Sequence, residues 1–145
     1  MAQTAPDSTG IGGQDIVQFA VVSGDPNPVH LDEEFAAGTQ FKERIAHGML
    51  TGAIISAALA MELPGPGSIY ISQSLRFTAP VMIGDTVTVK LEVTEKNDRR
   101  GFVTLSTDAY NQHDKRVARG SAELMAPKEK MLLDSPELPS VTVNY

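Results

Sequence analysis

The chain contains no cysteine, which excludes disulfides and thiolate chemistry and leaves the redox compartment open. Basic charge is in deficit. Twelve Lys and Arg against eighteen Asp and Glu leave a formal net charge of −6, which argues against nucleic acid or an anionic membrane as the main partner. No apolar run is long enough to cross a bilayer. The longest, Met49 to Met61, has 13 residues, where a spanning helix needs about 20. The opening MAQTAPDSTGIGG lacks a basic stretch followed by an apolar one, so no secretory signal is expected and the cytoplasm is the expected compartment. There is no internal repeat and no sign of a second domain. What remains is 145 residues, 41% hydrophobic and 21% charged, the profile of one globular domain large enough to bury a substantial core.

The most informative stretch runs from Phe19 to Leu50. It places a carboxylate, Asp25, and an imidazole, His30, five residues apart with Pro26 and Pro28 between them. Proline lacks a backbone N–H and fixes φ, so this segment is expected not to run as a regular helix. Ser23, Gly24, Asp25 and Pro26 read as turn chemistry. The expected result is a stiff, exposed loop holding an acid/base pair, which general acid–base chemistry requires. A second pair, His47-Gly48, opens a long apolar helix soon after.

The remaining pattern is coarse but consistent. Residues 1–13 are rich in Gly, Ser, Thr and Ala and read as a loosely ordered segment, with no strand ahead of the first helix. Asp15 to Val22 has helical spacing, and Leu31 to Ala36 reads as a helical turn with its acidic residues at the N-terminal end. The helix from Gly48 to about Glu62 is apolar all round, which predicts burial on all sides. Gly48, Gly52, Ser56 and Ala60 form a stripe of small residues along it, where a backbone or a slender ligand could lie close. Pro64-Gly65-Pro66-Gly67 ends the helix. Period-two alternation then marks four strands: Ile69 to Phe77, Thr86 to Thr94, Phe102 to Tyr110, and about Arg116 to Ala126. An antiparallel sheet wrapped around one apolar helix is an α+β domain, here residues 14–126, with 127–145 as a tail.

Ser-Gly-Asp-Pro-Asn-Pro-Val-His at 23–30, followed by His47-Gly48-Met49-Leu50, resembles the signature of the MaoC-like (R)-specific enoyl-CoA hydratases, over roughly residues 19–126. The resemblance implies a hot dog fold and a hydro-lyase that adds water to trans-2-enoyl-CoA, giving (R)-3-hydroxyacyl-CoA. It implies a homodimer, and no cofactor is expected beyond the coenzyme A of the substrate, because the thioester supplies the activation. It gives Asp25 and His30 the task of activating one water. Gly48 becomes the backbone donor to the thioester oxygen, a role that also follows from a free N–H at the positive end of a helix. Asn27 is implied to support the loop, and Ser56 to stand near the catalytic pair.

Each residue also has a plainer reading. Asp25 could cap a turn, His30 pack at its end, Asn27 form an Asx turn, and Ser56 fill a packed helix. His47 reads first as a helix-entry histidine rather than a chemical group. Gly10-Ile11-Gly12-Gly13 is no dinucleotide loop, since no strand is expected before it. Lys96, Arg99 and Arg100 read as a solvated turn, with the phosphates of coenzyme A as the functional option. Without cysteine or helical histidine spacing, a metal site is rejected. Two other functions fit the same residues: a 3-hydroxyacyl-acyl-carrier-protein dehydratase, and a non-catalytic acyl-thioester-binding subunit.

Overall fold

The computed structural model describes residues 2–4, 8–129, 133–134 and 136–144. Its elements run β1 (Ala2–Thr4), β2 (Thr9–Gly10), α1 (Gly13–Ser23), α2 (Pro28–Leu31), α3 (Glu33–Ala37), α4 (Gly48–Met61), β3 (Ile69–Phe77), β4 (Thr86–Asn97), β5 (Phe102–Tyr110) and β6 (Arg116–Met125). The sheet is antiparallel, in the order β1-β4-β5-β6-β3, with β2 also paired to β4. Two hairpins join β4, β5 and β6, while β3 returns along β6 and forms one edge.

The alternation in β4 works as its period requires. Val87, Val89 and Leu91 are each 1% exposed, and Thr88, Lys90 and Glu92 take the other face. Those valines pack with Leu105 and Ala109 of β5, Val117, Ala122 and Leu124 of β6, and Ile55 and Leu59 of α4. Ile55 and Leu59 have no exposed surface, so each contributes about 1.5–3 kcal/mol by burial. The sheet curls around α4, the hot dog architecture that the resemblance implies.

Four details differ from the expectation. The N-terminal segment supplies strands: Ala2–Thr4 pairs with Lys90–Glu92, and Thr9–Gly10 with Thr86–Val87. Ile11 is buried and exchanges backbone hydrogen bonds with Asp85 and Gly84. Backbone pairing along an edge needs no side-chain period, so Gly- and Thr-rich sequence gave no strand signal. The single helical turn expected over 31–36 is instead two short helices, α2 and α3. Pro28 does not forbid α2 because it occupies the first turn, where its missing N–H costs nothing.

β4 extends to Asn97, past a bulge at Val93/Glu95 that shifts its register. Finally, α4 is not buried on all sides. Thr51, Gly52, Ile55, Ala58 and Leu59 face the core, whereas Met49 and Met61 are 57% and 49% exposed. Hydropathy gives the amount of apolar surface but not which part of it the same chain covers. The described residues after Met125 form neither helix nor strand. No helix among the described residues is long and apolar enough to cross a membrane.

Candidate active site

The loop begins where α1 stops. Gly24 takes a left-handed conformation, φ 75°, and donates its N–H to the Ala20 carbonyl. Glycine accepts that conformation at no steric cost, and the turn throws Asp25 clear of the helix. The Asp25 N–H also reaches the Ala20 carbonyl, at 3.1 Å. Asn27 then braces the loop twice. Its backbone N–H donates to Asp25 Oδ1 (3.1 Å), and its side-chain oxygen accepts the Val29 N–H (3.2 Å), capping α2. One carboxylate oxygen of Asp25 is therefore held by the loop, and the other, Oδ2, is directed at two imidazoles.

Those imidazoles come from separate segments. His30, carried by α2, is 8% exposed, and His47, the residue before α4, is 4% exposed. Their rings stack with centroids 3.8 Å apart, and the Phe19 ring from α1 lies tilted against His47 with centroids 5.0 Å apart. His30 Nδ1 lies 2.8 Å from the Ile45 carbonyl oxygen. A carbonyl can only accept, so in neutral His30 the proton sits on Nδ1 and Nε2 keeps its lone pair. That Nε2 is 4.0 Å from Asp25 Oδ2, too far for a direct hydrogen bond but a separation one water can bridge.

His47 has the opposite polarity. Its Nε2 lies 3.1 Å from the backbone carbonyl oxygen of Asp25, so neutral His47 carries its proton there. Nε2 is 3.8 Å from Asp25 Oδ2, and its buried Nδ1 has no partner among the described residues. His47 therefore offers no base at Nε2. It clamps the backbone of the residue bearing the carboxylate and packs flat against His30. The first reading of a helix-entry histidine fits its position, and the structure adds the contacts to Asp25 and His30.

Gly48 starts α4, directly after His47, so its N–H has no partner inside the helix. A Cβ at Gly48 would lie 3.2 Å from the Phe77 ring, so β3 closes over this helix end. His47, Gly48, Thr51, Phe77, Thr78 and Val117 line a cavity of about 380 Å³. Along the small-residue stripe, a Cβ at Gly52 would meet Leu75 and the Met49 thioether. Gly52 and Ser56 border an apolar groove of about 510 Å³, completed by Phe19, Met49, Tyr70 and Leu75 among others. Burial against this groove pushes the Tyr70 hydroxyl above its ordinary pKa, so it stays protonated and donates to the Gln73 side chain.

Asp25, His30, His47, Asn27 and Gly48 thus converge, while Ser56 lies two turns along α4 in the groove. The Lys96, Arg99 and Arg100 turn is exposed at the opposite end of the sheet from Phe77. Three contributors carried no sequence signal: the Ile45 carbonyl that sets the His30 tautomer, the Phe19 ring, and Arg44, whose Nε donates to the His30 carbonyl at 2.6 Å. Backbone acceptors have no residue-type signature, and a lone Phe or Arg looks like core or surface.

Asp25, His30 and His47 also offer one ligand atom each within 4.8 Å of one another, the grouping a metal ion would use. Zinc draws tetrahedral ligands to about 3.4 Å apart at its usual bond lengths, closer than the 3.8 and 4.0 Å found here.

The model of the MaoC-like domain matches residues 2–115. An (R)-specific enoyl-CoA hydratase of Rhodospirillum rubrum is 48% identical over 125 residues, 86% of each chain. The mitochondrial 3-hydroxyacyl-[acyl-carrier-protein] dehydratase of Arabidopsis thaliana is 35% identical over 126 residues, 85% of this chain and 75% of that one. Among solved structures, the unliganded R-hydratase PhaJ1 from Pseudomonas aeruginosa superposes with a TM-score of 0.92 at 53% identity, covering 99% of this chain and 92% of that one.

Proposed function

Because this chain belongs to the MaoC-like domain family, we propose that it is an (R)-specific enoyl-CoA hydratase, adding water reversibly to trans-2-enoyl-CoA. The observation that carries this is the placing of Asp25 Oδ2 4.0 Å from His30 Nε2, the nitrogen left free in the neutral ring, with His47, which stacks on His30, leading into the free N–H of Gly48 at the start of α4. In this reading Asp25 and His30 hold one water between them. His30 Nε2 takes a proton from it as the water oxygen bonds to C3. The C2=C3 π electrons shift onto the thioester oxygen, which accepts a hydrogen bond from the Gly48 N–H. The enolate then collapses and takes the proton from His30 at C2. Atoms balance with water alone, and no metal or organic cofactor takes part.

Asn27 holds Asp25 Oδ1 so that Oδ2 stays on the water. Ser56 lines the groove that receives the acyl chain. Ile71 of β3 lines that groove and is 46% exposed, and Ile69 of β3 and Val21 and Val22 of α1 are 55%, 77% and 86% exposed, leaving apolar surface uncovered. A second copy of the chain covers it in the homodimer. The test is hydration of crotonyl-CoA, followed by loss of the enoyl-thioester absorbance, with the product offered to an (R)-specific 3-hydroxyacyl-CoA dehydrogenase. Turnover of the product supports the reading. An (S) product, or none, contradicts it.

A carrier-protein dehydratase uses the same chemistry in reverse, and the plant relative at 35% identity is the observation that favours it. Relative rates on crotonyl-CoA and on a crotonyl-acyl-carrier protein separate the two.

A further inference from the structure

The outward face of the sheet carries a second charged constellation that the hydration chemistry does not use. Arg76 of β3 and Arg119 of β6 are directly opposed in the antiparallel register. Opposed residues share a face, and like charges so placed destabilise a sheet unless something neutralises them. Neither arginine makes an ion pair with the described residues. Arg116, at the start of β6, does: its Nη1 lies 3.6 Å from Asp108 Oδ2. Asp108 is further occupied by the Gly120 N–H at 3.4 Å. The three arginines, Asp108, Ser74 and Gly120 surround a cavity of about 560 Å³. In a chain of net charge −6, three of its six arginines meet there, with one carboxylate among them.

The patch lies at the catalytic end of the sheet. Phe77, next to Arg76, closes over Gly48. Val117, next to Arg116, lines the cavity that holds His47 and Gly48. Thr78 Oγ1 donates to the Arg116 carbonyl at 2.7 Å, so the end of β3 and the start of β6 form a shared rim between the two cavities. The basic turn at Lys96 to Arg100 lies at the Ile69 end of the sheet instead, seven strand residues and roughly 23 Å along β3 from Arg76.

We propose that Arg76 and Arg119, with Arg116, form a subsite for the phosphates of the coenzyme A carrier. The inference rests on the hydratase reading above. The thioester sits at Gly48, the pantetheine arm passes over the Phe77–Thr78 rim, and the phosphates neutralise the opposed arginines. Guanidinium groups suit this ligand because they bind phosphate oxygens through paired donors.

The experiment compares crotonyl-CoA with crotonyl-pantetheine, which lacks every phosphate, on the native protein and on Arg76→Gln/Arg119→Gln. Binding of 3′,5′-ADP is titrated separately. For crotonyl-CoA, KM in the double variant rises about tenfold or more, as expected for lost charged hydrogen bonds, with kcat unchanged. For crotonyl-pantetheine, KM does not move, and 3′,5′-ADP binds the native protein but not the variant. Arg76→Lys/Arg119→Lys recovers part of the loss.

An equal KM change on both substrates, or none on either, overturns the subsite. So does a KM rise confined to a crotonyl-acyl-carrier protein, which would assign the patch to a protein carrier. A native protein that hydrates neither thioester removes the hydratase reading itself. The subsite alone fails if the native protein is active and the variant matches it on crotonyl-CoA.

Discussion

At the scale of single residues, the site depends on which atom of each histidine is occupied. Both rings face Asp25, yet backbone carbonyls give the neutral rings opposite tautomers: the Ile45 carbonyl accepts from His30 Nδ1–H, and the Asp25 backbone carbonyl accepts from His47 Nε2–H. His30 is thus equipped to accept a proton and His47 to hold a position. His30→Ala should lower kcat by about 10²–10⁴-fold, the usual contribution of a general base. His47→Ala should have a smaller effect, near tenfold, and His47→Gln should recover part of it by restoring a donor to the Asp25 carbonyl. Steady-state hydration rates for the three variants check this order, and equal losses for His30 and His47 contradict it. Gly120 presents a different residue-scale constraint. A Cβ there would fall on the Ser74 carbonyl oxygen across the β3–β6 pair. Gly120→Ala should therefore cost at least about 2 kcal/mol in urea unfolding, because backbone rather than a flexible side chain has to yield.

At the scale of elements, α4 combines two tasks. One face supplies Ile55 and Leu59 to the core, and the small-residue stripe leaves room beside β3. Gly52→Val would narrow the groove between Met49 and Leu75. The expected result is a fall in kcat/KM for octenoyl-CoA of at least about tenfold relative to crotonyl-CoA, read from the two substrates on one variant. An equal effect on both would remove the groove as the acyl site.

Elements with strong periodicity were legible from the sequence. The strand Ile69–Phe77 has the expected bounds, and so does Phe102–Tyr110. The proximity of Asp25, Asn27 and His30 was legible from the loop motif, because prolines and Asx chemistry act locally. The edge strands β1 and β2 were not legible, since main-chain pairing to β4 needs no side-chain period. The exposed side of α4 was not legible either: Met49 and Met61 are as apolar as Ile55, and only the fold decides which of them the chain covers.

At the scale of the whole molecule, a single copy leaves apolar surface on α1, on α4 and along the β3 edge, beside the groove. An edge strand with open backbone groups and exposed Ile69 and Ile71 is a ready pairing surface. In the proposed homodimer, Ile71→Glu should shift the protein from dimer to monomer in sedimentation and weaken hydration with it. A variant that remains a dimer would place the interface elsewhere. Charge is also unevenly distributed, with Arg76, Arg116 and Arg119 gathered near the Phe77 end of the sheet in an acidic chain, and rising salt should raise KM for crotonyl-CoA as that proposed attraction is screened.

The most direct test of the account is the rate of crotonyl-CoA hydration by the native protein beside Asp25→Asn, with folding of both checked by circular dichroism. Asparagine keeps the Oδ1 that accepts from the Asn27 N–H but removes the carboxylate charge. Rapid hydration by the native protein and a loss of about 10²–10⁴-fold in the folded variant is the predicted result. A folded Asp25→Asn protein that hydrates crotonyl-CoA at the native rate would contradict it.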